Sequence, residues 1–181
     1  MAHTNNCAEM RWNMEVKKRW ISLYVENQIG VLAKISGMFA AKSYNLDTLT
    51  VGETQDPSVS RMTIGLTSDD MTFEQIKKQL NRNVVVIKVI DISEVPIHKK
   101  ELLYIKVNSC SDKDKSEIFR IAQAFSLDII DYSRNSVLVQ SVKTEDKNND
   151  MIALFNKTFI NRIEVVRGGS VAIEALSVND R

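Results

Sequence analysis

Apolar positions along the chain alternate, or recur at helical spacing, in an order that repeats once. Ile21, Leu23 and Val25 alternate with Ser22 and Tyr24, the period-two mark of a strand over about 19–25. Glu26-Asn27-Gln28 breaks that period, and Gly30 opens a helix over about 30–42 in which Leu32, Ile35 and Phe39 share a face. A second strand over about 46–53 carries Leu49 and Val51 on one side, and Glu53 to Ser58 turns the chain, since Pro57 disfavours helix at Asp56. Strand three, about 59–67, points Met62, Ile64 and Leu66 inward and Arg61 and Thr63 outward. Thr72-Phe73-Glu74-Gln75 has the form of a capping box and starts a helix with Phe73, Ile76 and Leu80 on its apolar face. The β-branched run Val84 to Ile92 is the fourth strand. The order is βαββαβ, which closes as an antiparallel sheet with two helices on one face.

Val95 to Lys100 reads as a short linker, after which the order starts again. Leu102–Val107 is a strand, and Ser111-Asp112-Lys113-Asp114 is a helix start whose carboxylates suit the macrodipole. Ile118, Ile121, Ala122 and Phe125 then hold the helical face; Leu127–Tyr132 and Val137–Val142 pair around Arg134-Asn135-Ser136. Ile152, Phe155 and Phe159 mark the last helix, Ile160–Arg167 a strand, Gly168-Gly169 a turn, and Val171–Leu176 a closing strand. The fold class expected is α+β, two tandem ferredoxin-like βαββαβ domains. The boundaries are a poorly ordered N-terminal extension over 1–18 (with one helical turn around Arg11 to Val16), a first domain over 19–94, a linker over 95–100, a second domain over 101–176 and a tail over 177–181.

A chain of 181 residues with 44% apolar and 26% charged content is ordinary for one or two globular domains. A formal net charge of +1 gives no electrostatic footprint for nucleic acid or a membrane surface. No apolar run reaches the length of a membrane span, and the N-terminus lacks a secretory core, so the default location is the cytoplasm. Cys7 and Cys110, like His3 and His98, are too far apart for a metal or redox spacing. No Ser, Cys or His stands in a nucleophile motif, and the many carboxylates sit at turns and helix starts, where capping explains them. No catalytic residue and no metal ligand is expected.

The chemistry that remains is at Asn27 to Leu32. A strand feeding a helix through a tight Asn/Gly turn leaves backbone N–H groups at the helix start, a site for a carboxylate or phosphate. Without a Gly-rich cradle or a Lys-Ser/Thr pair, a small anion such as an amino acid's carboxylate fits better than a nucleotide. On spacing alone Asn27 is a turn-capping residue and Gly30 a relief of crowding. The repeat is unequal here: the second copy has Asn108-Ser109-Cys110-Ser111 and no Gly. Sensing therefore falls to the first domain, and assembly or transmission to the second.

The segments ENQIGVLAKISGMF, YNLDTLTVG and DPSVSRMTI, in that order and spacing, resemble the regulatory (small) subunit family of acetolactate synthase, also called acetohydroxyacid synthase. The resemblance runs from about Arg19 to about Leu176 and is strongest up to Asp91. It implies that the first domain is an ACT domain, that it forms a homodimer, and that an amino-acid effector sits between the turn of one subunit and a segment of its partner. Carried over residue by residue, the effector-binding positions are Asn27, Gly30, Val31 and Leu32 at the turn, with Asn45 and Leu46 at the entry to strand two. N–H groups around Gly30 would take the effector carboxylate and the oxygens of Asn27 and Asn45 its ammonium. Val31, Leu32 and Leu46 would wall a branched apolar side chain such as that of valine.

The same resemblance implies a non-catalytic role: raising the activity of an acetolactate synthase catalytic subunit and conferring feedback inhibition in branched-chain amino-acid synthesis. No cofactor belongs to this chain; thiamine diphosphate, magnesium and FAD would lie on the catalytic partner. Two positions depart from the family pattern. Ile29 stands where Pro or Ser is common, and Ser43 where Gly is common; a positive φ at Ser43 would cost roughly 1 kcal/mol. The alternative is a stand-alone ACT sensor controlling another enzyme or a transcription factor. An RNA-recognition motif shares the βαββαβ order, but Val59 to Leu66 carries no aromatic to stack a base. A small ferredoxin-like hydrolase is disfavoured because the first loop has no Arg to hold phosphate.

Overall fold

The computed structural model describes residues 15–176. Tandem βαββαβ units form two four-stranded antiparallel sheets of matching order. In the first, β1 (Lys17–Glu26) lies between β3 (Val59–Ser68) and β4 (Val86–Asp91), and β2 (Thr48–Glu53) is the outer strand on β3. The alternation in β1 and β3 decides which face is covered. Ile21, Leu23, Val25, Met62, Ile64 and Leu66 are all buried against α1 (Val31–Ala41) and α2 (Asp70–Asn81). In α2 the buried set is Phe73, Ile76 and Leu80, as the spacing predicts.

In α1 the buried residues are Val31, Ile35 and Phe39, in steps of four, whereas Leu32 lies about 100° round the helix and is 45% exposed. The capping box expected at Thr72 is absent, and the helix is capped three residues earlier. Asp69 is the N-cap, accepting from the Thr72 N–H and hydroxyl, each at 2.8 Å, because its carboxylate is the stronger acceptor within reach. The fourth strand is shorter than the run Val84 to Ile92: Asn83 to Val85 make a turn, and pairing with β1 begins at Val25 and Val86.

The second sheet sets β5 (Ile97–Val107) between β7 (Val137–Lys143) and β8 (Ile163–Glu174), with β6 (Asp128–Tyr132) outermost. Its core is Leu103, Ile105, Val107, Val137 and Val139 against α3 (Asp112–Phe125) and α4 (Glu145–Thr158). Phe125 closes α3 and is 44% exposed; in α4 the buried residues are Asn148, Met151 and Phe155, with Phe159 buried just past the helix end and Ile152 half-buried beside it. Asn148 faces the core because it has partners there. Its amide donates to the Glu101 carbonyl and carboxylate at 3.1 and 3.0 Å and accepts from the Ser141 hydroxyl at 2.8 Å. Arg167 closes the group with two bonds to Glu101, at 2.9 and 2.8 Å.

Two expectations of the domain reading change. The segment taken as a linker is strand from Ile97 onward, and Gly168-Gly169 is not a turn but lies inside β8. Glu101 pairs with Ser170 and Leu103 with Arg167, so Gly168 and Gly169 bulge opposite Leu102. A Gly pair signals a bulge as well as a turn; the ladder from Ile97–Glu174 to Val107–Ile163 decides between them. Of the N-terminal extension, Lys17 and Lys18 belong to β1; Trp12, Met14 and most of the proposed helical turn lie outside the described residues, as does the tail from residue 177.

Beyond the bulge, the β5–β8 ribbon crosses the uncovered face of the first sheet. Thr50 Oγ1 donates to the Ser170 carbonyl at 3.1 Å, the Ser170 N–H to Thr48 Oγ1 at 3.2 Å, and Arg61 Nη2 to the Ala172 carbonyl at 3.0 Å. Trp20, Ile92 and Ala172 form a small buried cluster beneath it. Gly169 has φ +74, and a Cβ there would lie 2.8 Å from the Thr50 methyl; Gly168 has only ordinary contacts. Gly169→Ala should therefore cost roughly 1–3 kcal/mol of stability and Gly168→Ala less than about 0.5 kcal/mol, measured by urea unfolding.

The Glu101 group predicts a pH dependence. Burial pushes the Glu101 carboxyl up, but hydrogen bonds from Arg167 and Asn148 and the charges of Arg167 and Lys18 outweigh it and hold it below its ordinary 4.5. A depressed folded-state pKa adds stability above the unfolded value, and that stability is lost as pH falls through the folded one. Wild-type stability should fall more steeply than that of Glu101→Gln below about pH 4.5, the gap between the two narrowing toward acid, in melts taken across that range.

Candidate functional site

The turn from β1 into α1 is built by Asn27 and Gly30. The Asn27 N–H donates to the Ser58 carbonyl at 2.7 Å; its side-chain amide donates to the Pro57 carbonyl at 2.9 Å and accepts from the Ser60 hydroxyl at 3.0 Å. A further bond of 3.5 Å reaches Glu53, so Asn27 fastens the turn to the β2–β3 hairpin. Those partners, on the far side of a hairpin, had no local signal in the sequence. Gly30 is the N-cap of α1 with φ 86, in the left-handed region that favours glycine. It has no side chain to cap the helix, and no acidic residue lies in the first turn. The Val31 N–H reaches the Gln28 carbonyl and the Lys34 N–H that of Gly30. The N–H groups of Leu32 and Ala33, at the second and third helical positions, have no earlier turn to bond to. Both residues are exposed, and the positive end of a helix is where a small anion is favoured.

The matching turn of the second domain is closed by its own side chains. Ser111 and Asp114 form a reciprocal capping box at the start of α3. Arg162 grips the Asp114 carboxylate at 3.0 and 3.2 Å. Those hydrogen bonds from Arg162, then those from Ser111, hold the Asp114 carboxyl far below the usual carboxylate range. Asp114 is thus the built-in anion where α1 has none. The Ser111-x-x-Asp114 spacing is legible in sequence; Arg162, arriving from the far end of the domain, is not. Cys110 beside this turn is buried, donates to the Val107 carbonyl at 3.4 Å, and has its thiol pushed up first by burial and then by Asp114.

The six expected site residues do not meet within one chain. Asn27, Gly30, Val31 and Leu32 stand where β1 ends, at the Glu26–Val59 pair. Asn45 and Leu46 stand at the other end: Thr48 pairs with Gly65, which faces Trp20 near the start of β1. The length of α1 separates the two groups, roughly 16 Å at 1.5 Å per residue. The apolar walls also differ from expectation. Val31 is 4% exposed and Leu46 packs on the core, so their side chains serve the fold; Leu32 and the fully exposed Ile29 are the apolar groups beside the turn. Asn45 is exposed, with its amide 3.4 Å from Asp47 Oδ1.

Two ferredoxin-like units, the first with an open helix start behind an Asn/Gly turn, define the ACT-type class of regulatory domain. Similarity to known proteins narrows the class. Residues 21–88 match the model of the acetohydroxyacid synthase small subunit-like ACT domain, and residues 100–176 that of the small subunit of acetolactate synthase. The acetolactate synthase small subunit of Aquifex aeolicus is 39% identical over 159 residues, covering 88% of this chain and 82% of that protein. The one from Haemophilus influenzae is 36% identical over 157 residues, covering 86% and 94%. The crystal structure of the small subunit from Thermotoga maritima superposes with a TM-score of 0.81 at 34% identity, covering 90% of this chain and 99% of that one. The chain belongs to the acetolactate synthase small-subunit family. Among the described residues no helix is long and apolar enough to cross a membrane.

Ser43, just past the C-terminal end of α1, adopts φ 55, with its N–H on the Ala40 carbonyl and that of Tyr44 on Phe39. That is a left-handed helix end filled by a residue with a Cβ. Ser43→Gly should raise stability by about 1 kcal/mol, seen as a higher urea midpoint at unchanged slope.

Proposed function

We propose that this chain is the regulatory subunit that raises the activity of an acetolactate synthase catalytic chain and makes it subject to feedback inhibition by valine or another branched-chain amino acid. Thiamine diphosphate, magnesium and FAD belong, on this reading, to the catalytic partner. The observation that carries the effector site is the contrast between the two helix starts: α3 is capped by Ser111 and Asp114, the latter held by Arg162, while α1 has no side-chain cap.

Separation of the half-sites supports a dimeric site. β2 is an edge strand, and an uncovered edge is a template for a second copy. A two-fold axis that pairs β2 with its partner's β2 antiparallel puts the start of one strand beside the end of the other. Asn27 is tied to Glu53, the last residue of β2. Such pairing therefore carries one subunit's Asn27–Leu32 turn toward its partner's Asn45 and Leu46. Ala33, Gly37 and Ala40 on the exposed side of α1 are small enough for the helices to approach. The effector carboxylate would sit on the N–H groups of Leu32 and Ala33, its ammonium on the amide oxygens of Asn27 and the partner's Asn45, and its side chain against Leu32 and Ile29. Because it touches both copies, it stabilises one dimer arrangement, with a coupling on the usual scale of about 1–3 kcal/mol.

Acetolactate formation by the catalytic chain, with and without this protein and with and without valine, tests the proposal. A rate raised by the chain and lowered by valine is expected, with Asn27→Ala blunting the inhibition at least tenfold in valine concentration and sparing activation. A chain that neither associates with the catalytic subunit nor changes its rate would leave a stand-alone sensor instead.

A further inference from the structure

Besides the Thr48 and Thr50 bonds to Ser170, the segment from Asn45 into β2 reaches the second domain through a charged side chain. The Asn45 amide lies 3.4 Å from Asp47 Oδ1, and the other oxygen of that carboxylate accepts from the Thr67 hydroxyl at 2.6 Å and the Lys18 ammonium at 3.0 Å. The same ammonium lies 3.4 Å from each carboxylate oxygen of Glu145, which opens α4 in the second domain. Among the described residues it is the ion pair that crosses between the domains; the others stay within one. The three side chains are 32%, 22% and 24% exposed, so solvent screens the contacts only in part. Lys18 also stands 5.5 Å over the Trp20 ring, at the foot of the ribbon that crosses the first sheet.

We propose that Lys18 couples effector binding in the first domain to the position of α4 in the second, by sharing its ammonium between Asp47 and Glu145. The proposal rests on the reading that Asn45 contacts the effector. Asn45 that turns toward a ligand withdraws its amide from Asp47 Oδ1. The carboxylate left with fewer donors draws harder on Lys18, and the hold on Glu145 weakens. α4 carries the Asn148 and Asn149 contacts to Glu101 and Arg167 that brace the bulge. A shift at the start of α4 therefore reaches the root of the ribbon. Coupling is reciprocal, so removing Glu145, in the other domain, must change the response to an effector it never touches. A mere staple between domains would alter stability and leave that response alone.

The test is the valine inhibition curve of the reconstituted complex, each variant normalised to its own uninhibited rate. Lys18→Met, which keeps the stem over Trp20, and Glu145→Gln should each move the half-inhibition concentration by at least about fivefold. The double variant should move it no further than the larger single shift, and Lys18→Arg should stay near wild type. Glu145→Asp, which keeps charge on α4 while drawing it back from Lys18, should follow Glu145→Gln and guards against a folding artefact. A valine-sensitive wild type whose Glu145 variants follow the same curve would overturn the coupling. So would single shifts that multiply in the double variant. A wild-type complex that valine does not inhibit removes the effector reading itself, and the coupling falls with it before any variant is made.

Discussion

The ladder between β5 and β8 overruns its own sheet, and the arrangement of the molecule follows from that. Within the second domain it is ordinary pairing, from Val107–Ile163 to Leu103–Arg167. Past the bulge at Gly168-Gly169 the same two strands lie on the first sheet, where Ser170 and Ala172 meet Thr48, Thr50 and Arg61 through backbone groups that face away from β5. A sheet face that would otherwise expose Trp20, Ser22 and Thr63 is covered this way. The cost is tight contact. Gly65 and Gly169 both sit where a Cβ would press on a neighbouring side chain. The Glu101–Arg167–Asn148 group stands at the bend, where a buried carboxylate on β5 takes its donors from β8 and from α4.

The two units differ in what fills the start of their first helix. Both units run strand, turn, helix, and both leave N–H groups pointing out of the helix start. In the second unit Asp114 puts a carboxylate at that position and Arg162 locks it, so the turn stabilises the domain. In the first, Gly30 makes the turn with backbone alone. An open helix start is a modest liability for folding and leaves donors that an anion could use. The Asn27–Leu32 turn and the Asn45-Leu46 segment lie at opposite ends of α1, so one chain does not bring them together.

Much of the fold was legible because one face of each sheet is buried. Period-two alternation in β1 and β3 and the helical spacing of Phe73, Ile76 and Leu80 and of Ile118, Ile121 and Ala122 named core residues directly. The misreadings have a common cause. Leu32 and Phe125 sit at the margin of a helical face, where periodicity is ambiguous by one position. Thr72 gave way to Asp69 because two good caps lay three residues apart. Gly168-Gly169 and the segment before Leu102 read as turn and linker because a bulge and a strand overrun are properties of a pair of strands, never of one.

The sequence by itself determined the two βαββαβ units, the Asn/Gly turn, the absence of a catalytic motif and the family resemblance, since each of these is written in local period or contiguous motif. Tertiary structure decided what needs residues distant in the chain. It spent Asn27 on the hairpin, closed Asp114 with Arg162, turned Val31 and Leu46 into the core, and set Asn45 a helix length from Gly30. It also brought Lys18 between Asp47 and Glu145. Hydrogen bonds and ion pairs act over about 3 Å, and only folding brings such partners within that range.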